Sequence, residues 1–159
     1  MKKKILFVIS ALEAGGAEKS LINLLNLFDY DRYDVDLLLF KREGIFLEQV
    51  PDKVKLVSGS KELLALYGQL RPKSMSEFVI YCKTMLARLQ GQYYKNFKYR
   101  NTKGLATQQR WHKVYKKLIP VMCEEYDVAI AYMHTEPLYF VAEKIKAKKK
   151  IGWIHIDYK

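Results

Sequence analysis

A glycine pair, two histidines near strand ends and a dense run of lysines are the residues of this chain whose types and spacing could do chemistry. Gly15 and Gly16 sit in "ISALEAGGAEKSLINLLN", between an apolar run and a leucine-rich segment. A glycine turn there lets the backbone come close to a ligand. The helix after it directs its unpaired N–H groups and the positive end of its dipole at the same spot, and phosphate is the natural guest. The alternative is plain turn chemistry, in which glycine supplies a positive φ. Spacing alone leaves both open. "ALEAGGAE" lacks G-x-G-x-x-G and is followed by no G-K-[ST], so it is neither a dinucleotide fingerprint nor a P-loop. Glu18 falls in the first helical turn, where it either favours the dipole or contacts a ligand directly. Beside a diphosphate its carboxylate must face away.

His155 lies in "GWIHIDY" at the end of an apolar run, with Asp157 two positions on. If strand pairing continues there, both side chains share a face and the carboxylate can fix the imidazole tautomer. The competing reading is a histidine on an exposed strand end. His134, in "YMHTEP", either lines the same cleft or caps the helix that starts near Pro137. His112 lies among lysines and reads as a surface residue. Three histidines far apart and no acidic cluster imply no metal site.

The elements that must position these residues are set by the hydrophobic pattern. Strands are expected over 4–9, 35–40, 53–57, 127–132 and 150–156. Helices are expected over 17–28, 76–90, 108–122 and 137–147, with Ser58 or Ser60 capping another after 60. Phe78, Cys82, Met85, Leu86 and Leu89 share one face of the second of these helices, and 91–104 reads as a loop or frayed helix end. Strands alternating with helices argue for an α/β fold with a parallel sheet and crossover connections.

The chain of 159 residues is half hydrophobic, which permits a sizeable core and excludes a disordered composition. Cys82 and Cys123 have no partner at metal spacing, and two cysteines make no disulfide scaffold; they read as reduced, partly buried thiols of a cytoplasmic protein. "MKKKILFVISAL" imitates a signal peptide, but the apolar run is short and reads as a strand. No later run approaches the roughly 18 apolar residues that would cross a bilayer.

The net charge of +11 has one source. Between Lys61 and Lys117 stand thirteen lysines and arginines against two acids, Glu62 and Glu77, while the rest of the chain is balanced. Such a segment attracts phosphate-bearing partners.

"KILFVISALEAGGAEKSLINLLN" resembles the opening of family-4 glycosyltransferases, retaining enzymes of the GT-B fold, whose first strand leads to G-G-x-E before a leucine-rich helix. Gly15, Gly16, Ala17 and Glu18 stand in that order. "YDVAIAYMHTEPLYFVA" and "KKIGWIHIDY" resemble later strand regions of the family, each with its histidine. The resemblance covers 1–57 and 124–159 and leaves 60–120 largely uncovered. It implies a single Rossmann-like N-terminal, acceptor-side domain over 1–159, with a basic helical excursion at 61–117. The C-terminal donor domain, with its basic residues and paired glutamates, has no counterpart here. The chain stops three residues after its last strand signal, which leads us to expect a fragment, inactive alone because the reacting groups cannot be positioned.

The resemblance implies further roles. Gly15, Gly16 and Glu18 would form the donor-diphosphate loop, His155 would be catalytic, and His134 and Asp157 would line the acceptor side. The donor would be a nucleotide-diphosphate sugar, with no cofactor and no metal. The acceptor would be a lipid-linked or surface polysaccharide. For the basic segment three readings stand: solvated helix faces, an anionic membrane surface, or nucleic acid. The resemblance favours the membrane, with Lys95, Lys98, Arg100, Lys103, Arg110, Lys113, Lys116 and Lys117 as anion contacts and Tyr93, Tyr94, Phe97, Tyr99 and Trp111 suited to headgroups. The protein would then be cytoplasmic and peripheral at the inner membrane face. The rival is a non-catalytic Rossmann-like module that binds nucleic acid or an acidic partner through 61–117.

Overall fold

The computed structural model describes residues 2–98 and 103–155. In chain order, β1 (Lys3–Ile9) leads to α1 (Gly16–Asn26), β2 (Tyr33–Leu39) and β3 (Lys55–Val57). Then come α2 (Lys61–Leu66), α3 (Met75–Tyr93), α4 (Lys103–Arg110) and α5 (Lys116–Leu118), with π-helical stretches at Tyr94–Lys98 and Trp111–Tyr115. The chain closes with β4 (Glu125–Ala131), α6 (Glu136–Lys144) and β5 (Lys146–Gly152). All strand pairs are parallel, in the order β3-β2-β1-β4-β5. The fold is α/β, with a Rossmann-like sheet flanked by helices.

Two compact units divide the chain. Residues 1–58 with 122–159 form the sheet unit, and 59–121 form a helical unit. The charge-rich segment 61–117 falls inside the helical unit.

The sheet unit folds around the apolar run that imitates a signal core, which is the central strand. Ile5, Phe7 and Ile9 alternate onto one face with Val35, Leu37 and Leu39 of β2. Leu21, Ile22 and Leu25 of α1 close over them. Phe7 meets the rings of Phe28 and Tyr132 edge-on at 5.8 and 6.1 Å. On the other face, the rings of Phe40 and Phe140 meet edge-on at 5.3 Å. Each such side chain contributes roughly 1.5–3 kcal/mol by leaving water.

Several expectations shift. The last strand starts at Lys146 and ends at Gly152, instead of spanning 150–156, and α6 ends at Lys144. Local propensity reads "KAKKK" as a helix end, but pairing of 146–152 with β4 overrides it. Lysines suit this edge of the described sheet, where they discourage further pairing. Both cysteines are exposed, not partly buried.

In the helical unit Ser60 caps α2, accepting from the Leu63 N–H at 3.2 Å; Ser58, at the end of the sheet unit's first segment, accepts from Arg42 instead. α3 starts one residue earlier than expected because Ser74 caps it, accepting from the Glu77 N–H. Glu77 reaches back to accept from the Lys73 N–H at 2.8 Å, one residue ahead of the N–H that a capping box would use. The stretch 91–104 is helical where described, through Lys98 and again from Lys103, and the next helix ends at Leu118.

Candidate functional site

The strand order grows from β1 in one direction through β2 and β3, and in the other through β4 and β5. The carboxyl end of β1 beside β4 is therefore the reversal point of the sheet, where open α/β folds bind ligands. Three loops leave this edge from neighbouring strands: Ser10–Gly15 after β1, Tyr132–Thr135 after β4, and Trp153–His155 after β5. The motifs that hold Gly15-Gly16, His134 and His155 are thus brought to one edge.

The first loop is pinned by its neighbour. Lys41 N–H donates to the Ser10 carbonyl at 2.8 Å, Leu12 N–H to Glu43, and Phe46 N–H back to the Leu12 carbonyl at 3.1 Å. Gly44 makes this possible. Its φ is +119°, and a Cβ there would collide with the Leu12 carbonyl. Gly44→Ala should therefore lower stability by about 1–3 kcal/mol in urea unfolding. A change within error would mean that the loop re-seats without cost.

Beyond the pin, Gly15 is the N-cap of α1 and Gly16 its first helical residue. No side chain caps the helix, so its first-turn N–H groups lack the usual Ser, Thr or Asp acceptor. Neither glycine has a positive φ, so the turn-chemistry reading loses its physical basis. The two glycines differ. A Cβ on Gly15 would collide with the Glu18 carboxylate, whereas a Cβ on Gly16 would meet nothing within 4 Å. Glu18 thus folds back beside the N-cap residue without bonding the helix N–H groups. Gly16 faces open space.

His155 is exposed and lies three residues beyond β5. Ladder pairing ends at Gly152 opposite Ala131, so His155 lies beyond the described ladder, and Asp157 lies outside the described residues. Trp153 N–H donates the last bond across to β4, to the Ala131 carbonyl at 2.8 Å, and the chain leaves the ladder there. Tyr132 orders the rest of this loop. Its buried ring stacks on Trp153 at 5.3 Å and meets the His155 ring at 4.7 Å, while its hydroxyl pairs with Ser20 Oγ at 3.1 Å. A physical chain thus runs from His155 through Tyr132 to the second turn of α1. Tyr132, Trp153 and Ser20 are site residues that sequence reasoning missed, although two of them stand inside the quoted motifs beside the histidines.

His134 is half-buried in the loop after β4. It does not cap α6: Thr135 is the N-cap residue, and no side-chain bond is made there. Glu136 is buried in the first turn of α6, where the dipole favours its carboxylate.

No protein-family model matches this chain, and no curated protein matches it.

Two open hollows of about 550 and 600 Å³ lie at the opposite, amino ends of the strands. Their charged groups are largely engaged with one another. Lys4 Nζ binds Glu124 and lies 3.5 Å from Asp36, and Tyr126 donates to Asp36 at 3.0 Å. The Lys148 ammonium, 2.6 Å from Asp127, and the Lys4 backbone N–H hold the Asp127 carboxyl below its usual range. These interactions tie strands together and offer no reactive group.

Of the basic residues, Arg110 lies over the Tyr115 ring and Lys113 over the Tyr94 ring, each at 5.3 Å. Lys116 and Lys117 are exposed. The side chains of Lys95, Lys98 and Lys103, along with Arg100, Tyr99 and Asp157, lie outside the described residues. Trp111, expected among headgroups, is instead fully buried and packs as a core side chain, while Tyr93 and Phe97 are exposed.

Proposed function

We propose that this chain is the acceptor-side, N-terminal half of a retaining glycosyltransferase, one that moves a sugar from a nucleotide-diphosphate sugar to a lipid-linked or surface polysaccharide at the cytoplasmic face of a membrane. One observation carries the proposal. The three motifs that resemble the family lie at the carboxyl ends of β1, β4 and β5, consecutive neighbours in the sheet, around its reversal point. Fold alone would support many functions, so the weight rests on these residues.

In this reading the Gly16 backbone approaches the donor diphosphate, and the Glu18 carboxylate swings away from the N-cap residue as the anion arrives. His155, braced against Tyr132, faces the transferred sugar and can hydrogen-bond it without itself being buried. The exposed Ile151, Trp153 and Ile154 beside it supply apolar surface against which a donor-binding half would close.

The test is sugar transfer from nucleotide-diphosphate sugars to membrane lipid extracts, by a polypeptide carrying both halves. His155→Ala should lower kcat at least about tenfold, as expected for loss of a hydrogen bond made in the transition state. Transfer that is indifferent to His155 would remove it from the site. No transfer with any nucleotide sugar would remove the function.

A further inference from the structure

α3 is built inside out. Its buried residues are Thr84, Ala87 and Gly91, while Met75, Phe78, Met85, Leu86, Leu89 and Tyr93 are exposed. At 3.6 residues per turn the large apolar side chains span an arc of roughly 120°, opposite the small buried ones. The pattern continues into the π-helical stretch, where Phe97 is 76% exposed. The small inner face has a cause, because Arg110 and Tyr115 approach α3 at Gly91, where a Cβ would come within 3.2 Å of the Tyr115 hydroxyl. The outer face has no cover among the described residues of 59–121.

Charge says what covers it. Lys83 flanks the apolar arc on one side and Arg88 on the other, with Lys73 just ahead of the helix. The single acid of α3, Glu77, points inward to Lys61 at 2.9 Å. The outward face is therefore apolar at its centre, basic at its margins and free of carboxylates, in a segment carrying thirteen basic residues and two acids. A protein partner would need only the apolar arc, and a nucleic acid only the cations. A bilayer with anionic headgroups uses both: acyl chains take the apolar arc, and lysine and arginine stems reach the phosphates. Among the described residues no helix is long and apolar enough to cross a membrane, so α3 would lie in the surface plane.

We propose that the outward face of α3, from Met75 through Phe97, docks into the headgroup boundary of an anionic bilayer. This rests on the membrane-side placement proposed above and sharpens it to a named surface. It can be tested without sugar transfer, so the two can fail separately.

The experiment is cosedimentation of the whole chain with vesicles of phosphatidylcholine and phosphatidylglycerol, against phosphatidylcholine alone. Binding is expected to the anionic vesicles only, and it should weaken as salt is raised. Leu86→Glu replaces a side chain that is 67% exposed, so the fold should survive, as a melting curve checks. It should cut the partition coefficient roughly tenfold or more, since a buried leucine and a repelled carboxylate both count. Leu86→Trp should retain binding and shift its emission to the blue on anionic vesicles. Equal binding to neutral vesicles, or unchanged binding by Leu86→Glu, would overturn the proposal. So would a dimer that Leu86→Glu dissociates in the absence of vesicle binding, or retention by homopolymeric RNA that displaces the vesicles.

Discussion

Under the proposed transferase function, replacing Gly16 with tryptophan in a polypeptide that carries both halves should reduce turnover by about a hundredfold while leaving the melting temperature nearly unchanged. The two halves of this expectation come from one observation: a Cβ on Gly16 points into open space. Its backbone is helical with negative φ, so any L-residue fits, and an exposed first-turn position does not lose stability when glycine is replaced. A large ring there fills the ground in front of the α1 N-terminus, and displacing a bound diphosphate by an ångström costs on the order of 100-fold in rate. The loss should fall on kcat and donor KM together. The companion variant Gly15→Ala behaves differently, because its methyl group displaces the Glu18 carboxylate instead of a ligand. If Gly16→Trp turns over like the parent, no diphosphate approaches this loop.

The strands were largely legible because their signals are redundant. Ile5–Ile9 is a continuous apolar run and Val35–Leu39 is one interrupted only by Asp36, both buried on both faces, and both strands fall within a residue or two of the expected limits. β5 was not legible. Its lysines carry no strand signal, and only the register with β4 holds 146–152 extended. The error carried through to the site, since the expected strand placed His155 in a ladder that had already ended.

α3 shows another limit. Its apolar periodicity was visible in Phe78, Cys82, Met85, Leu86 and Leu89, but a helical stripe does not say whether it faces a core or a surface. The sign of that face is set by Thr84, Ala87 and Gly91, residues too small to register in a hydrophobic pattern yet the ones that pack. Gly44 and Tyr132 were invisible for a similar reason. One acts through a φ, and the other through contacts with residues distant in sequence.

The largest stability effect should come from the amino edge of the sheet. Asp36 is almost fully buried in β2, within reach of Lys4 and the Tyr126 hydroxyl, and Lys4 also binds Glu124. Lys4→Met removes the shared cation and leaves a buried carboxylate uncompensated. Breaking a buried pair costs about 3–5 kcal/mol, and because Lys4 is about a third exposed the expected loss is nearer 2–3 kcal/mol. The double variant Lys4→Met/Asp36→Leu removes both charges and should be more stable than Lys4→Met alone by at least about 1 kcal/mol. Acid should act in the same direction. The Lys4 hydrogen bond holds the Glu124 carboxyl below its ordinary value, so its contribution is complete above the unfolded carboxyl range and lost as pH falls through the depressed folded value. At the alkaline end the Glu124 hydrogen bond raises the Lys4 ammonium, while burial and the Asp36 charge raise the Tyr126 hydroxyl. Both contributions are complete below the unfolded values and are lost as pH rises toward the folded ones. Urea unfolding of the parent should show a plateau between these limits. In Lys4→Met the acid shoulder should become shallower, because Glu124 loses the largest cause of its depression and keeps only the Tyr126 hydroxyl and the Lys55 charge. An acid limb of the same depth in both proteins would place the titrating groups elsewhere.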